Sequence, residues 1–303
     1  MKTLSLVCLL AVVPGSVFAQ DRAHNLASQA AQQQPAKCPL PNNLTLQQCH
    51  DQFPDGCTTA AHATYDGYLD FLKDQDPDPG LASTKNLVAA DFKSLEAKLP
   101  QLSQTVNGHK KKLGPANHGT FAGSLADLGE GNIYTVIAYL YFVQDTSKGS
   151  PGKPVKGETC NCRIADPADF DYHIGLGFNA NLAAQARTKH PKAGTLFIRL
   201  QKKSVVAEMT PFPRHTRHTN WTFDRINAHQ GEQVKVVGQL MVDNFHFNAG
   251  DDCGLHGTGT SGTNCWRSTV WEMHPLMKFY VCNVSSGCDA SSPDSAWTDL
   301  DNP

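Results

Sequence analysis

A chain of 303 residues, 40% hydrophobic and 18% charged with a net charge of −2, has ordinary globular composition, which excludes disorder along its whole length. It is long enough for one large domain or two ordinary ones. Beyond the N-terminus no stretch approaches the roughly 18 uninterrupted apolar residues of a membrane-spanning helix, so no transmembrane anchor is expected.

The chain opens with Met1-Lys2, an apolar run from Leu4 to Val13, a Pro14-Gly15 break and the segment Val17-Phe18-Ala19. These are the parts of a secretory signal, with cleavage expected after Ala19 and a secreted or periplasmic product. The residues before Cys8 do not form a lipoprotein box. Residues 20–36 are rich in Gln and Ala and lack an apolar face, so a flexible leader is expected there.

Nine cysteines follow the signal, and an oxidising compartment pairs most of them. Nine is odd, so at least one thiol is left over, bound elsewhere or paired between chains. Cys253 and Cys265 bracket a Gly-rich segment and are expected to staple a long loop, while Cys282 and Cys288 suit a small ring at the tail. Cys160 and Cys162 are too close for an easy mutual bond. Each is expected to reach a distant partner, such as one of Cys38, Cys49 and Cys57. Zinc at this C-x-C pair is the alternative.

From Leu44 to Leu99 apolar residues recur at helical spacing, with breaks at Phe53-Pro54-Asp55-Gly56 and at DQDPDPG. Two or three helices are expected, within a helical region spanning 37–115. Gly108 to Pro115, GHKKKLGP, reads as a basic linker that closes it.

Near residue 130 the period changes from 3.6 to 2. Strands are expected over Ile133–Gln144 and Tyr172–Phe178, with one strand or a hairpin within Thr195–Met209. A short helix follows between Asn220 and Gly231, then strands over Gln233–Phe247 and Thr269–Cys282. The order β-β-β-α-β-β belongs to the OB-fold, a five-stranded Greek-key barrel with a helix between its third and fourth strands. The expected class is therefore α+β: a helical N-terminal region, an OB-fold-like β-barrel over 116–283, and a C-terminal tail over 284–303. Gly131 and Gly231 each stand where a helix gives way to a strand, and Gly238 inside a strand suits a bend or bulge.

The motifs ETCNC, DYHI, AEM-x-P, GEQVKVVGQLMVDNFH and WEMHP, between roughly Pro115 and Val281, resemble a group of exported bacterial proteins with D-x-H-[IL] and E-[IL]-H-P motifs. The resemblance implies a small β-barrel and export and supplies no activity. Met273 stands where that group has Ile or Leu, a mild change at an apolar position.

Alternation along a strand puts residues i and i+2 on one face. Asp171 and His173 therefore project together, as do Glu272 and His274. Glu208 lies near the end of the third strand and His246 near the end of the fourth. Brought together, Asp171, His173, Glu208, His246, Glu272 and His274 form an O/N set suited to one divalent metal ion as cofactor, or to acid/base work. Such a metal would activate water for hydrolysis of a phosphodiester or glycoside. The bland alternative is a buried bridge between His173 and Glu272 that fixes register. Pro275, directly after His274, marks an edge or a bulge.

The run from Arg214 to Trp221 interleaves basic and aromatic residues, and Arg214, Arg217 and Trp221 are candidates for binding an anionic polymer. Residues 131–282 carry 16 Lys/Arg against 12 Asp/Glu, mildly basic and far short of a committed nucleic-acid binder. A binding module for a polymer or small-molecule ligand, a metal-assisted hydrolase and a structural or partner-binding domain all fit these residues. No G-x-S-x-G, P-loop, H-E-x-x-H or Rossmann fingerprint occurs.

Overall fold

The computed structural model describes residues 37–39, 43–58, 66–78, 80–145, 157–248, 250–256 and 265–302. The expected signal and leader lie outside the described residues.

Among the described residues three short α-helices occupy the N-terminal region: α1 (Leu46–Gln52), α2 (Gly67–Lys73) and α3 (Ala89–Glu96). Thr45 and Gln48 close a capping box over α1. The Asp66 side chain caps α2 by accepting from Leu69 N. A two-residue strand, β1 (Asn86–Leu87), precedes α3. The segment expected as a basic linker is instead the second half of a hairpin, β2 (Ser103–Val106) with β3 (His109–Lys112). Asn107 and Gly108 both have positive φ at its turn, the requirement that makes Asn-Gly a hairpin signal.

Helix α4 (His118–Asp127) leads into the thirteen-residue strand β4 (Ile133–Asp145). Then come β5 (Tyr172–Gly177), α5 (Ala180–Lys189), α6 (Gly194–Gln201), β6 (Ser204–Met209), α7 (Pro211–Thr216), α8 (Phe223–Asn227) and β7 (Gln233–Val242). A four-residue turn of helix, α9 (Cys253–His256), and strands β8 (Trp271–Cys282) and β9 (Trp297–Asp299) complete the chain. The expectation for Thr195–Met209 is half corrected, because residues 194–201 are helical and only Ser204–Met209 is strand. Leu196, Phe197 and Leu200 pack with Tyr141, Phe142 and Ala183, so a helical stripe outweighs the β-branched and aromatic composition.

The molecule is thus α+β, with helices around a seven-stranded sheet. The sheet's pairings return on themselves. β4 pairs antiparallel with β5 through its second half and with β7 through its first; β5 pairs with β6, β6 runs parallel to β8, and β8 pairs with β7. Two junctions of the same design start the long strands. Gly131 and Gly231, both at positive φ, donate backbone N–H groups to Leu240 O (2.8 Å) and Leu140 O (2.6 Å). The register slips on both sides of Gly238, the bulge expected there, where a Cβ would lie 2.8 Å from Pro275 O.

The principal apolar core fills the inner side of this ring: Val136, Leu140, Ile174, Leu176, Val205, Ala207, Val236, Leu240, Met273 and Phe279. Alternate residues face outward and are covered too. Tyr68, Leu69 and Leu72 of α2 pack there on Met241 and Ala122.

Among the described residues four disulfides join Cys38–Cys57, Cys49–Cys162, Cys253–Cys265 and Cys282–Cys288. The last two are the staple and ring read from spacing. Cys162 does reach an N-terminal partner, whereas Cys160 remains a buried thiol. Among the described residues no helix is long and apolar enough to cross a membrane, and four disulfides suit an oxidising compartment.

Candidate metal centre

The site forms on the outer face of the wall made by β5, β6 and β8. His173 of β5 sits directly opposite Glu208 of β6, and Val206 and Ala207 of β6 pair with Glu272 and Met273 of β8. Met273 points into the core, so the residues beside it, Glu272 and His274, point outward. His173 Nε2 lies 3.2 Å from Glu208 Oε1, and His274 Nδ1 lies 3.4 Å from Glu208 Oε2 and 3.7 Å from Glu272 Oε2. Arg267 pairs with Glu272, both fully buried. Asp171 joins the group beside Glu208 and His274 and accepts from Asn161 Nδ2 at 3.2 Å. Asp171, His173, Glu208, Glu272 and His274, all expected from sequence, are therefore brought together.

His246 stands apart, one step further along. Its Nδ1 is 3.0 Å from Asp251 Oδ2 and its Nε2 is 3.9 Å from Asp243 Oδ2. It belongs to the rim. The indole of Trp266 fills the space between, parallel to the His173 ring at 6.3 Å and edge-on to His246 at 5.2 Å.

Two further members, Lys73 and Glu158, were not read from the sequence, and a third, Cys160, was weighed there only as half of a C-x-C zinc pair. Lys73, at the end of α2, reaches across to Glu158 Oε2 (3.1 Å) and Asp243 Oδ2 (3.0 Å). Glu158 Oε1 in turn lies 3.6 Å from His173 Nε2. The thiol of Cys160 lies with Glu158 and Asp171 in the same group. Glu158 is in the quoted ETCNC motif and carried a usable signal, because the same motif holds the cysteine that tethers α1. A cleft of about 230 Å³ opens over Lys73, Glu158, Arg163, Asp243, Phe245 and His246.

The charge balance of this wall is unusual. Five carboxylates (Glu158, Asp171, Glu208, Asp243 and Glu272) face the fixed cations Lys73 and Arg267, leaving an excess of three negative charges for imidazolium protons or a bound cation to offset. Burial alone would push the His173 imidazole down, but the carboxylates of Glu208 and Glu158 carry it up to about 10. Burial would raise Glu208; His173, His274 and Lys73 outweigh it and hold the carboxyl at about 2. For Asp171, burial and the Glu158 charge act together and raise it to about 7. Several polar atoms nonetheless lack hydrogen-bond geometry among the described residues: His173 Nε2, Glu208 Oε2, Glu272 Oε2 and both ring nitrogens of His274. Buried polar atoms in native proteins are almost always satisfied.

The residues expected to bind an anionic polymer are not gathered on a surface. Arg214 is buried, donating to Tyr172 Oη, Ala168 O and Phe170 O, with its guanidinium 4.0 Å over the Tyr172 ring. Trp221 is buried in the core beneath His218. Arg217 alone is partly exposed, and it pairs with Asp76. The basic and aromatic pattern reflects local packing around α7.

Comparison of the chain with family models, with curated proteins and with solved structures gives no match, so what the wall can do is argued from its geometry.

Proposed function

We propose that Glu158, His173 and Glu208 hold a divalent metal ion at the edge of an OB-like barrel, and that the protein is a metal-assisted hydrolase exported from the cytoplasm. The carrying observation is the spacing of the three ligand atoms. Around an ion with bonds of about 2.1 Å, adjacent ligand atoms lie about 3.0–3.4 Å apart; His173 Nε2 is 3.2 Å from Glu208 Oε1, inside that range, and 3.6 Å from Glu158 Oε1, slightly beyond it. An ion there would displace the His173 proton and offset the same carboxylates with one charge more. Glu158 lines the cleft and its side chain is 29% exposed, with His173 at 15%, so the site is reachable at these two, while Glu208 is buried at 1%.

The barrel assignment rests on the closed pairing of five strands and on α7 and α8 lying between the third and fourth of them, where the OB-fold carries its helix. Export rests on the N-terminal signal pattern and on the disulfides. The likeness to exported barrel proteins with D-x-H-[IL] and E-[IL]-H-P motifs is in keeping with both.

A metal in this position supplies Lewis acidity and lowers the pKa of a bound water. The cleft lining sets Lys73 and Arg163 against Asp66, Asp70, Glu158 and Asp243, so attraction for an anionic phosphodiester would have to come from the bound ion itself, with Arg163 beside it. Asp243 and Asp251 orient His246 at the rim, where it can exchange a proton with a leaving group.

The test is metal analysis of the purified chain after loading with Zn²⁺ or Mn²⁺, together with hydrolysis of bis(p-nitrophenyl) phosphate. About one ion per chain is expected, with turnover abolished by chelation. A folded Glu158→Gln/His173→Ala variant should lose both ion and turnover. A chain that takes up no ion, or a variant that keeps its ion, removes the reading and leaves a structural ion-pair wall.

A further inference from the structure

A second concavity lies away from the ion-rich wall. Its volume is about 630 Å³, within the roughly 300–1,000 Å³ range of sites that enclose small organic ligands. One side is a single face of α3, since Ala89, Phe92, Lys93, Glu96 and Ala97 follow the i, i+3/i+4, i+7/i+8 spacing of neighbours on a helix. The opposite side comes from Phe178 and Leu182 at the β5–α5 junction, Val205 of β6 and Tyr141 of β4. Phe92 and Phe178 stand 6.3 Å apart, tilted 40°, and Phe178 is only partly covered. Ala89 and Ala97 are exposed, and small side chains there leave the space open.

Polar groups line this space at two levels. At the base, buried Glu96 accepts from the hydroxyl of Thr269 and from Val270 N (3.2 Å), while its Oε1 has no hydrogen-bond partner among the described residues. Burial and the neighbouring Asp252 carboxylate raise the Glu96 carboxyl to about 9. Glu96 therefore shares its proton with Asp252, and the pair holds one negative charge at the base, which directs the anionic end of a ligand to the mouth. At the mouth stand Lys93 from α3 and Lys202 and Lys203 from the turn before β6. Lys93 and Lys203 make no ion pair with any described residue. An apolar interior with cationic groups contributed by two separate elements is complementary to a molecule with an apolar body and one anionic end.

We infer that this pocket binds a free, monomeric amphipathic anion of the fatty-acid type, with its chain against Phe92, Phe178, Leu182 and Val205 and its head group between Lys93 and Lys203. The site shares none of these residues with the wall of Glu158, His173 and Glu208, and it stands whether or not that wall holds a metal.

The experiment uses the full secreted chain and 11-(dansylamino)undecanoate as fluorescent probe, below the critical micelle concentration, with dodecanoate and dodecanol as competitors. Saturable enhancement is expected, displaced by dodecanoate and at least about tenfold less well by dodecanol, the equivalent of about 1.4 kcal/mol for the head-group charge. Lengthening the competitor from octanoate to dodecanoate should tighten it roughly threefold to fourfold per methylene, as a buried chain requires. Ala97→Trp, at an exposed helix position, should fill the space and abolish enhancement without changing the circular dichroism. Lys93→Glu/Lys203→Glu should weaken dodecanoate by about tenfold or more and leave dodecanol unchanged. Glu158→Gln should bind the probe like the parent chain. Equal competition by dodecanol, an undiminished signal from Ala97→Trp, or association only with micelles or anionic vesicles would each overturn the assignment.

Discussion

The two faces of β5, β6 and β8 are both buried and carry opposite chemistry. Inward, Ile174, Leu176, Val205, Ala207, Met273 and Phe279 make an apolar core. Outward and one residue along, His173, Glu208, Glu272 and His274 make a network of ions. Alternation of this kind normally marks a half-exposed sheet with a solvated polar face. Here α2 and the segment over 157–163, which Cys49–Cys162 ties to α1, lie over the polar face, and Lys73 is delivered by that cover. The site is thus created by covering a wall rather than by opening the mouth of a barrel, and each half of the comparison can be broken separately.

The largest effects should come from removing one member on each face. Lys73→Met leaves buried Asp243 and half-buried Glu158 without their common cation and should cost about 3–5 kcal/mol. Phe279→Ala opens the inner core and should cost a similar 3–5 kcal/mol, at the upper end of large-to-small substitutions. Urea unfolding with and without Mn²⁺ distinguishes the two. A divalent ion should restore part of the loss in Lys73→Met, because it supplies charge to the same carboxylates, and none of the loss in Phe279→Ala.

Next in size is the cover itself. The Cys49–Cys162 bond closes a sequence separation of 113 residues, so Cys49→Ser/Cys162→Ser should lower unfolding free energy by about 2–5 kcal/mol. Hydrogen exchange should rise first in α1, α2 and residues 157–163, before β6. Equal acceleration of β6 would mean that the cover and the ring unfold as one unit.

These contacts also explain which parts of the site were legible. The pairs Asp171/His173 and Glu272/His274 could be read because a strand's period of 2 fixes shared faces within a few residues. Glu208 followed from the same logic. Lys73 could not be read, since α2 is an ordinary short helix in sequence and meets Glu158 only through tertiary contacts, Lys73 with Glu158 and Asp70 with Thr159, between residues more than eighty apart. His246 was placed with the set because the fourth strand was extended to Phe247; that strand ends at Val242, and a 3₁₀ turn over Asn244–His246 aims the ring at Asp251 instead. The helix over Gly194–Gln201 was missed where β-branched and aromatic composition masked a helical stripe. Arg214 and Trp221 show the reverse error, because a basic and aromatic pattern identifies residue types but not which side of the backbone is covered.

A smaller effect is expected where the outer face admits rings rather than ions. Gly177 follows His173 at two alternations along β5, and a Cβ there would lie 1.9 Å from the Tyr141 ring. Gly177→Ala should therefore cost about 1–3 kcal/mol through overpacking. Thermal unfolding of that variant beside Gly108→Ala, at a turn with open space around it, separates the packing contribution from backbone strain.

The last effect is read as a slope with pH rather than as a single loss, and concerns a buried ion pair close to the ion-rich wall, bonded to Val242 and Asn244 on either side of Asp243 in the chain. His118 of α4 lies 2.9 Å from Glu130 through Nε2 and 2.8 Å from Asn244 Oδ1 through Nδ1. Glu130 also accepts from Val242 N, so this pair fastens α4 to the end of β7. Burial alone would lower the imidazole, yet the Glu130 carboxylate raises it from 6.5 to about 9. A group whose folded pKa is raised stabilises most fully below its unfolded pKa and loses that contribution as pH climbs through the folded value. The contribution should be complete below pH 6.5 and fade up to about pH 9. Each pH unit crossed within the window removes about 1.4 kcal/mol at most. In His118→Gln the stability difference from the parent should shrink steadily across this range. A difference that stays constant with pH would show that His118 is neutral in the folded chain and that its bonds to Glu130 and Asn244, rather than its charge, hold α4 to the ring.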